Sequence, residues 1–132
     1  MMNHTTLRFA RWLIAALSLS GFTLAAIAAD KVSLDEVTYS KLPGDRVQVT
    51  LRMSGAPPEP ALFTIADPAR ISIDFPDTKV GLSKNSLKVN EGALTSLNAI
   101  EAGNRTRVVL NLVRPVTYQT SVEGDRYVIT LN

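Results

Sequence analysis

Alternation of apolar and polar positions dominates the chain beyond its first thirty residues. In Arg46-Val47-Gln48-Val49-Thr50-Leu51-Arg52-Met53 every second side chain is apolar, the pattern of a strand with one buried and one wet face. Arg70-Ile71-Ser72-Ile73-Asp74-Phe75 and Arg126-Tyr127-Val128-Ile129-Thr130-Leu131 do the same. Turn-forming groups separate the runs: Pro43-Gly44-Asp45, Gly55 with Pro57, Pro58 and Pro60, Asp67-Pro68, Gly103-Asn104 and Glu123-Gly124-Asp125. No apolar helical period competes with them, so an all-β domain is predicted.

The pattern occurs twice. Residues 34–75 and 97–131 each read as strand, turn, strand, Pro-containing link, strand, tight turn, strand. Val47, Val49 and Leu51 match Val108, Leu110 and Leu112; Phe63 matches Tyr118; Ile71, Ile73 and Phe75 match Tyr127, Ile129 and Leu131. An internally duplicated four-strand unit predicts a sandwich of two similar sheets related by a pseudo-twofold axis. These matched residues and Ile65 form the expected inward set. Leu34 and Val37, like Leu97 and Ile100, break simple alternation by lying three apart. A β-bulge near Asp35-Glu36 and another near Asn98-Ala99 account for this, because one extra residue resets which side chains face inward. Residues 76–92 are polar and lysine-rich, a surface excursion with one short strand near Leu87-Val89.

The first residues belong to a different pattern. Arg8 and Arg11 precede the apolar run WLIAALSLSGFTLAAI, which ends in Ala26-Ile27-Ala28. Positive start, apolar stretch and small-residue step are the parts of a secretory signal peptide. The run is shorter than the ~20 residues that span a bilayer. Residues 1–28 are therefore expected to be a cleaved leader and 29–132 the mature domain, exported and not inserted in a membrane.

Removing the leader changes the charge balance. The whole chain carries 14 Lys and Arg against 12 Asp and Glu; without Arg8 and Arg11 the two signs are equal. That leaves no surplus positive charge for phosphate neutralisation, so no nucleic acid is expected. The single His (His4) and single Trp (Trp12) leave too, and there is no Cys. Disulfides, thiol chemistry, histidine-based triads and His- or Cys-ligated metals are then excluded. The carboxylates are too scattered for an oxygen-only calcium site. Asp74 and Asp77 are the only weak candidates for a glycosidase pair. No catalytic residue, metal or cofactor is expected.

The outward strand positions hold the remaining chemistry. Parity sets Arg46, Gln48, Thr50 and Arg52 on one strand face, Arg70, Ser72 and Asp74 on another, and Arg107, Val109 and Asn111 on a third. Arg70 and Asp74 are expected to form an ion pair with each other or across strands. Arg105 sits beside the Gly103-Asn104 turn, and Lys79, Lys84 and Lys88 give the excursion a basic patch. Stacking on sugars finds little support, because parity turns most aromatic side chains inward.

The run Phe63-Thr64-Ile65-Ala66-Asp67-Pro68-Ala69-Arg70-Ile71-Ser72-Ile73-Asp74-Phe75-Pro76 resembles the signature of AMIN domains. The same holds for Arg105-Thr106-Arg107-Val108-Val109-Leu110-Asn111-Leu112 and for residues 118–131, so the resemblance covers residues 31–132. With Leu42-Pro43-Gly44-Asp45-Arg46-Val47 behind a leader, the chain looks most like the first AMIN domain of a type IV pilus secretin. The resemblance implies a periplasmic, non-catalytic module that associates with peptidoglycan, in a secretin or ahead of a cell-wall amidase. Pore-forming and hydrolytic activities are not carried over. The alternative is a protein–protein interaction module that adds a strand at a sheet edge to other secretin or pilus-assembly domains. Arg46, Arg52, Arg107 and Asn111 are the leading candidates for binding peptidoglycan, by directional hydrogen bonds and charge pairing from an exposed sheet face.

Overall fold

A computed structural model describes residues 31–132; the leader expected over 1–28 lies outside the described residues. Ten strands follow in order: β1 (Val32–Leu42), β2 (Arg46–Met53), β3 (Ala61–Ala66), β4 (Ala69–Pro76), β5 (Thr78–Val80), β6 (Ser86–Glu91), β7 (Leu94–Ala102), β8 (Arg105–Leu112), β9 (Tyr118–Glu123) and β10 (Arg126–Leu131). They form two five-stranded sheets, β5-β1-β2-β10-β9 (sheet A) and β3-β4-β8-β7-β6 (sheet B). Among the described residues no helix is long and apolar enough to cross a membrane.

The duplicated unit is present, and its two copies exchange strands. Sheet A takes β1 and β2 from the first repeat and β9 and β10 from the second; sheet B takes β3 and β4 from the first and β7 and β8 from the second. The excursion supplies the fifth strand of each sheet. β6 contains the expected Leu87-Val89 segment and pairs with β7. β5 runs parallel to β1, and at three residues it is too short for alternation to reveal.

Strand register corrects the detailed alignment of the repeats. Val37 lies opposite Leu51, and Leu97 opposite Leu110. Leu51 lies opposite Tyr127, and Leu110 opposite Ile71. The structural equivalents are thus Leu34 with Leu94, Val37 with Leu97, Val49 with Val108 and Leu51 with Leu110. Pairing Val47 with Val108 was a slip of two residues, which alternation cannot detect because it keeps every side chain on its face. The first bulge lies between Leu34 and Glu36, as expected. The second lies between Leu94 and Ser96, not at Asn98-Ala99, and Ile100 is left exposed.

The core lies between the sheets. Leu34, Val47, Val49, Leu51, Ile71, Ile73, Phe75, Leu94, Val108, Leu110, Ile129 and Leu131 are all at most 2% exposed. Burying each such side chain contributes about 1.5–3 kcal/mol. Phe75 meets Tyr127 edge to face, with ring centroids 5.2 Å apart. Leu112 and Tyr118 are half-buried against this cluster. Two expected core residues are outside it: Phe63 is 51% and Ile65 48% exposed. In β3 nearly every residue is apolar, so alternation does not choose a face; pairing does, by setting Leu62 opposite Ile73 and Phe63 opposite Ser72. The cluster draws on both sheets, from Leu34 in β1 to Leu131 in β10.

One end of the sandwich is closed by backbone contact. Gly92, in the turn between β6 and β7, has φ of +55°. A Cβ there would stand 2.7 Å from the Asp45 carbonyl oxygen and 2.9 Å from Val47 Cγ2, so only glycine lets the turn rest on the β1–β2 end of sheet A.

Two predictions follow for residues 29–132. Phe75→Ala should cost about 3–5 kcal/mol in urea unfolding, whereas Phe63→Ala should stay within about 1 kcal/mol; equal costs would contradict the parity of β3. Burial pushes the Tyr127 phenol above its ordinary pKa of 10.0, against a smaller opposing effect of its hydrogen bond with Thr120. The folded state therefore keeps a proton that the unfolded chain releases. This stabilisation is intact below pH 10 and is lost as pH rises through the raised value. Unfolding midpoints measured from pH 9 upward should fall, and fall less steeply in Tyr127→Phe.

Candidate functional site

Alternation that buries one face of each sheet lays the other face out as rows of side chains across the strands. On sheet B one row runs Phe63, Ser72, Val109, Asn98, Ser86. The next runs Ile65, Arg70, Asn111, Ser96, Lys88. A third holds Ala61, Asp74, Arg107 and Ile100. On sheet A the corresponding rows are Glu36, Arg52, Arg126, Glu123, then Thr38, Thr50, Val128, Ser121, then Ser40, Gln48, Thr130, Gln119.

The four candidate binding residues are divided between these faces. Arg46 and Arg52 lie on sheet A, Arg107 and Asn111 on sheet B, with the thickness of the sandwich, about 10 Å, between them. Arg46 donates from Nε to the Pro43 carbonyl oxygen at 3.0 Å. Arg52 Nε is 3.2 Å from Glu36 Oε1. Asn111 donates from Nδ2 to Ser96 Oγ at 3.1 Å. Arg107 donates from Nη2 to Asp74 Oδ2 at 3.0 Å.

Asp74 does not pair with Arg70. Its partners stand on the neighbouring strand: Arg107 directly opposite and Arg105, whose Nε is 3.6 Å from Oδ1. Arg70 lies opposite Asn111 and Ile65 instead, four residues from Asp74 along an extended strand and out of its reach. Among the described residues Arg70 makes no ion pair, and its guanidinium is free on the surface. Asp77, the other carboxylate weighed for glycoside chemistry, sits just past β4 in a left-handed conformation, φ 46°. Among the described residues no group of three or more His, Cys, Asp or Glu could hold a metal ion.

The repeat makes the two faces comparable position by position, which alternation alone could not do without the register. Arg107 and Asp74 occupy the places of Gln48 and Thr130, where the contact is a neutral hydrogen bond of 3.4 Å. Asn111 stands for Arg52 and Arg70 for Arg126. Sheet A sets Arg46, Arg52, Lys79 and Arg126 against Asp35, Glu36 and Glu123. Sheet B sets Arg70, Lys88, Arg105 and Arg107 against Asp74 alone. Both outer faces are thus positive, and sheet B is the more so. The same face exposes Phe63, Ile65 and Ile100, the first two against the inward placement expected for them. It can offer cationic N–H donors, amides, hydroxyls and apolar side chains together.

The model of the AMIN domain family matches residues 36–131. The fimbrial assembly protein PilQ of Pseudomonas aeruginosa is 33% identical over 130 residues, covering 98% of this chain and 17% of that protein. The type IV pilus biogenesis and competence proteins PilQ of Neisseria gonorrhoeae and Neisseria meningitidis are each 30% identical over 117 residues, 86% of this chain. The chain spans less than a fifth of the length of these relatives. With the family signature running through both sheets, the chain belongs to the AMIN domain family.

Proposed function

We propose that this chain is a non-catalytic periplasmic module that binds peptidoglycan through the outer face of sheet B, in the service of a type IV pilus secretin. The observation that carries the reading is the charge partition between the faces: Arg70, Lys88, Arg105 and Arg107 answer one carboxylate on sheet B. Peptidoglycan matches the rest of that surface. Its stem peptides carry carboxylates for guanidinium groups. Its glycan carries acetamides and hydroxyls for Asn98, Asn111, Ser72 and Ser96, and its sugar rings carry C–H faces for Phe63 and Ile65. Arg107 and Asn111 are then binding residues on this face, joined by Arg70. Arg46 and Arg52 serve the opposite face, where Pro43 and Glu36 already engage them. The relatives named for pilus assembly support the secretin context.

The test is sedimentation of folded residues 29–132 with purified sacculi. The domain should pellet at low salt and be released as salt screens its charges. Arg70→Gln with Asn111→Ala should reduce the pelleted fraction severalfold, while Arg52→Gln with Arg126→Gln should leave it unchanged. A folded sample that stays in the supernatant at low salt would remove the wall-binding reading, and sensitivity to the second pair alone would move the site to sheet A.

A second reading, strand addition to another protein of the assembly, is favoured by β3. This edge strand has no charged residue and exposes Phe63 and Ile65, so it lacks the usual guards against pairing with a foreign strand. On this reading Ile65→Lys should abolish capture of neighbouring secretin domains in a pull-down while the fold is retained. Undiminished capture would reject it.

A further inference from the structure

We infer that Arg105 and Arg107, gathered around the buried carboxylate of Asp74, form a seat for a peptide carboxylate. The inference rests on the peptidoglycan reading for the source of that group, the stem peptide of the wall. The Asp74 side chain is only 9% exposed, whereas those of Arg105 and Arg107 are 54% and 51% exposed. Two cations share one anion, so the cluster keeps a net positive charge at the surface. Asp74 Oδ2 accepts the Arg107 bond, but Oδ1 is buried without a hydrogen-bond partner, and Arg105 Nε approaches it only to 3.6 Å. Each guanidinium has five N–H donors. Among the described residues the Arg107–Asp74 bond is the only side-chain hydrogen bond that either makes, which leaves most donors directed at solvent.

Asp74 gives the pair its geometry. Two adjacent guanidinium groups repel, and a carboxylate beneath them holds both heads on one side of β8. The place of this trio on sheet A is neutral, with Gln48 and Thr130 in contact and no carboxylate beneath, so the fold itself does not require the charge. Beside the pair, Ile100 and Ala102 line a shallow depression of about 230 Å³ with Asp74 and the two arginines. That volume is small for a whole disaccharide peptide and suits an alanyl end group, its methyl over Ile100 and its carboxylate on the guanidinium forks.

The test is an amide-resolved NMR titration of labelled residues 29–132 with three short acetylated peptides. One ends in D-Ala-D-Ala with a free carboxylate, one is its C-terminal amide, and one ends in L-Ala-L-Ala with a free carboxylate. The first should shift the amides of Ile100, Ala102, Arg105 and Arg107, and the amide-capped form should not. Asp74→Thr with Arg107→Gln, which copies the sheet A pair, should unfold at the wild-type midpoint and bind the first peptide about tenfold more weakly. Arg105→Gln alone gives the same comparison should the double variant fail to fold. Absent shifts, equal shifts from the capped peptide, or unweakened binding by the variants would overturn the seat. Tighter binding of the L-form would overturn its assignment to the wall. Sacculi that still pellet the double variant, with no peptide response, would sink this inference and spare the wall reading. A normal peptide response with no pelleting would do the reverse.

Discussion

The architecture depends on two antiparallel pairings, β2 with β10 and β4 with β8. Both join one repeat to the other, and both lie in the interior of their sheets. Across them Leu51 meets Tyr127, Val49 meets Ile129, Ile71 meets Leu110 and Ile73 meets Val108, so the hydrogen-bonded seams also bring the core side chains of the two repeats together. Neither repeat possesses a sheet of its own. Each supplies half of both, and the closed core exists only when the halves interlock.

That interlocking shapes what the surface can do. Because each sheet is built from equivalent strands, each outer face begins as a near copy of the other, and a difference between them is a local choice of side chains. The contrast of Arg107–Asp74 with Gln48–Thr130 is such a choice. In the Arg107–Asp74 pair only the guanidinium is half-exposed; the carboxylate is buried, so removing the arginine would leave a buried charge with a weaker partner.

Much of the fold was legible because burial of one sheet face writes itself as alternation. Val47 to Met53 and Arg70 to Phe75 could be assigned to strands and faces from side-chain type alone, and the repeat followed from turns recurring between them. Legibility ended where that signal is degenerate. A two-residue slip changes no face, so Val47 was matched to the wrong partner. In β3 the run of apolar residues hid the parity that exposes Phe63 and Ile65. The excursion strand β5 is held by neighbours rather than by pattern: Thr106 donates from Oγ1 to the Thr78 carbonyl oxygen at 2.7 Å, and Val80 donates its amide to Glu101. For the candidate site, residue type offered Arg46, Arg52, Arg107 and Asn111 alike, but their division between two faces depended on which strands share a sheet. Of the two pairings open to Asp74, with Arg70 along its strand or with a residue across strands, only the register decides for the second, with Arg107 directly opposite.

The position of β10 has a consequence for biosynthesis. Residues 126–131 are the last of the ten strands to be made, yet they fill an interior place in sheet A. Until they arrive, β2 presents Val47, Val49 and Leu51 along an uncovered border, an adhesive strip open to neighbouring nascent chains. A ribosome releasing this polypeptide from its amino end cannot deliver a finished half; the sandwich closes only once β10 has emerged, and the interval before it leaves β2 without its neighbour.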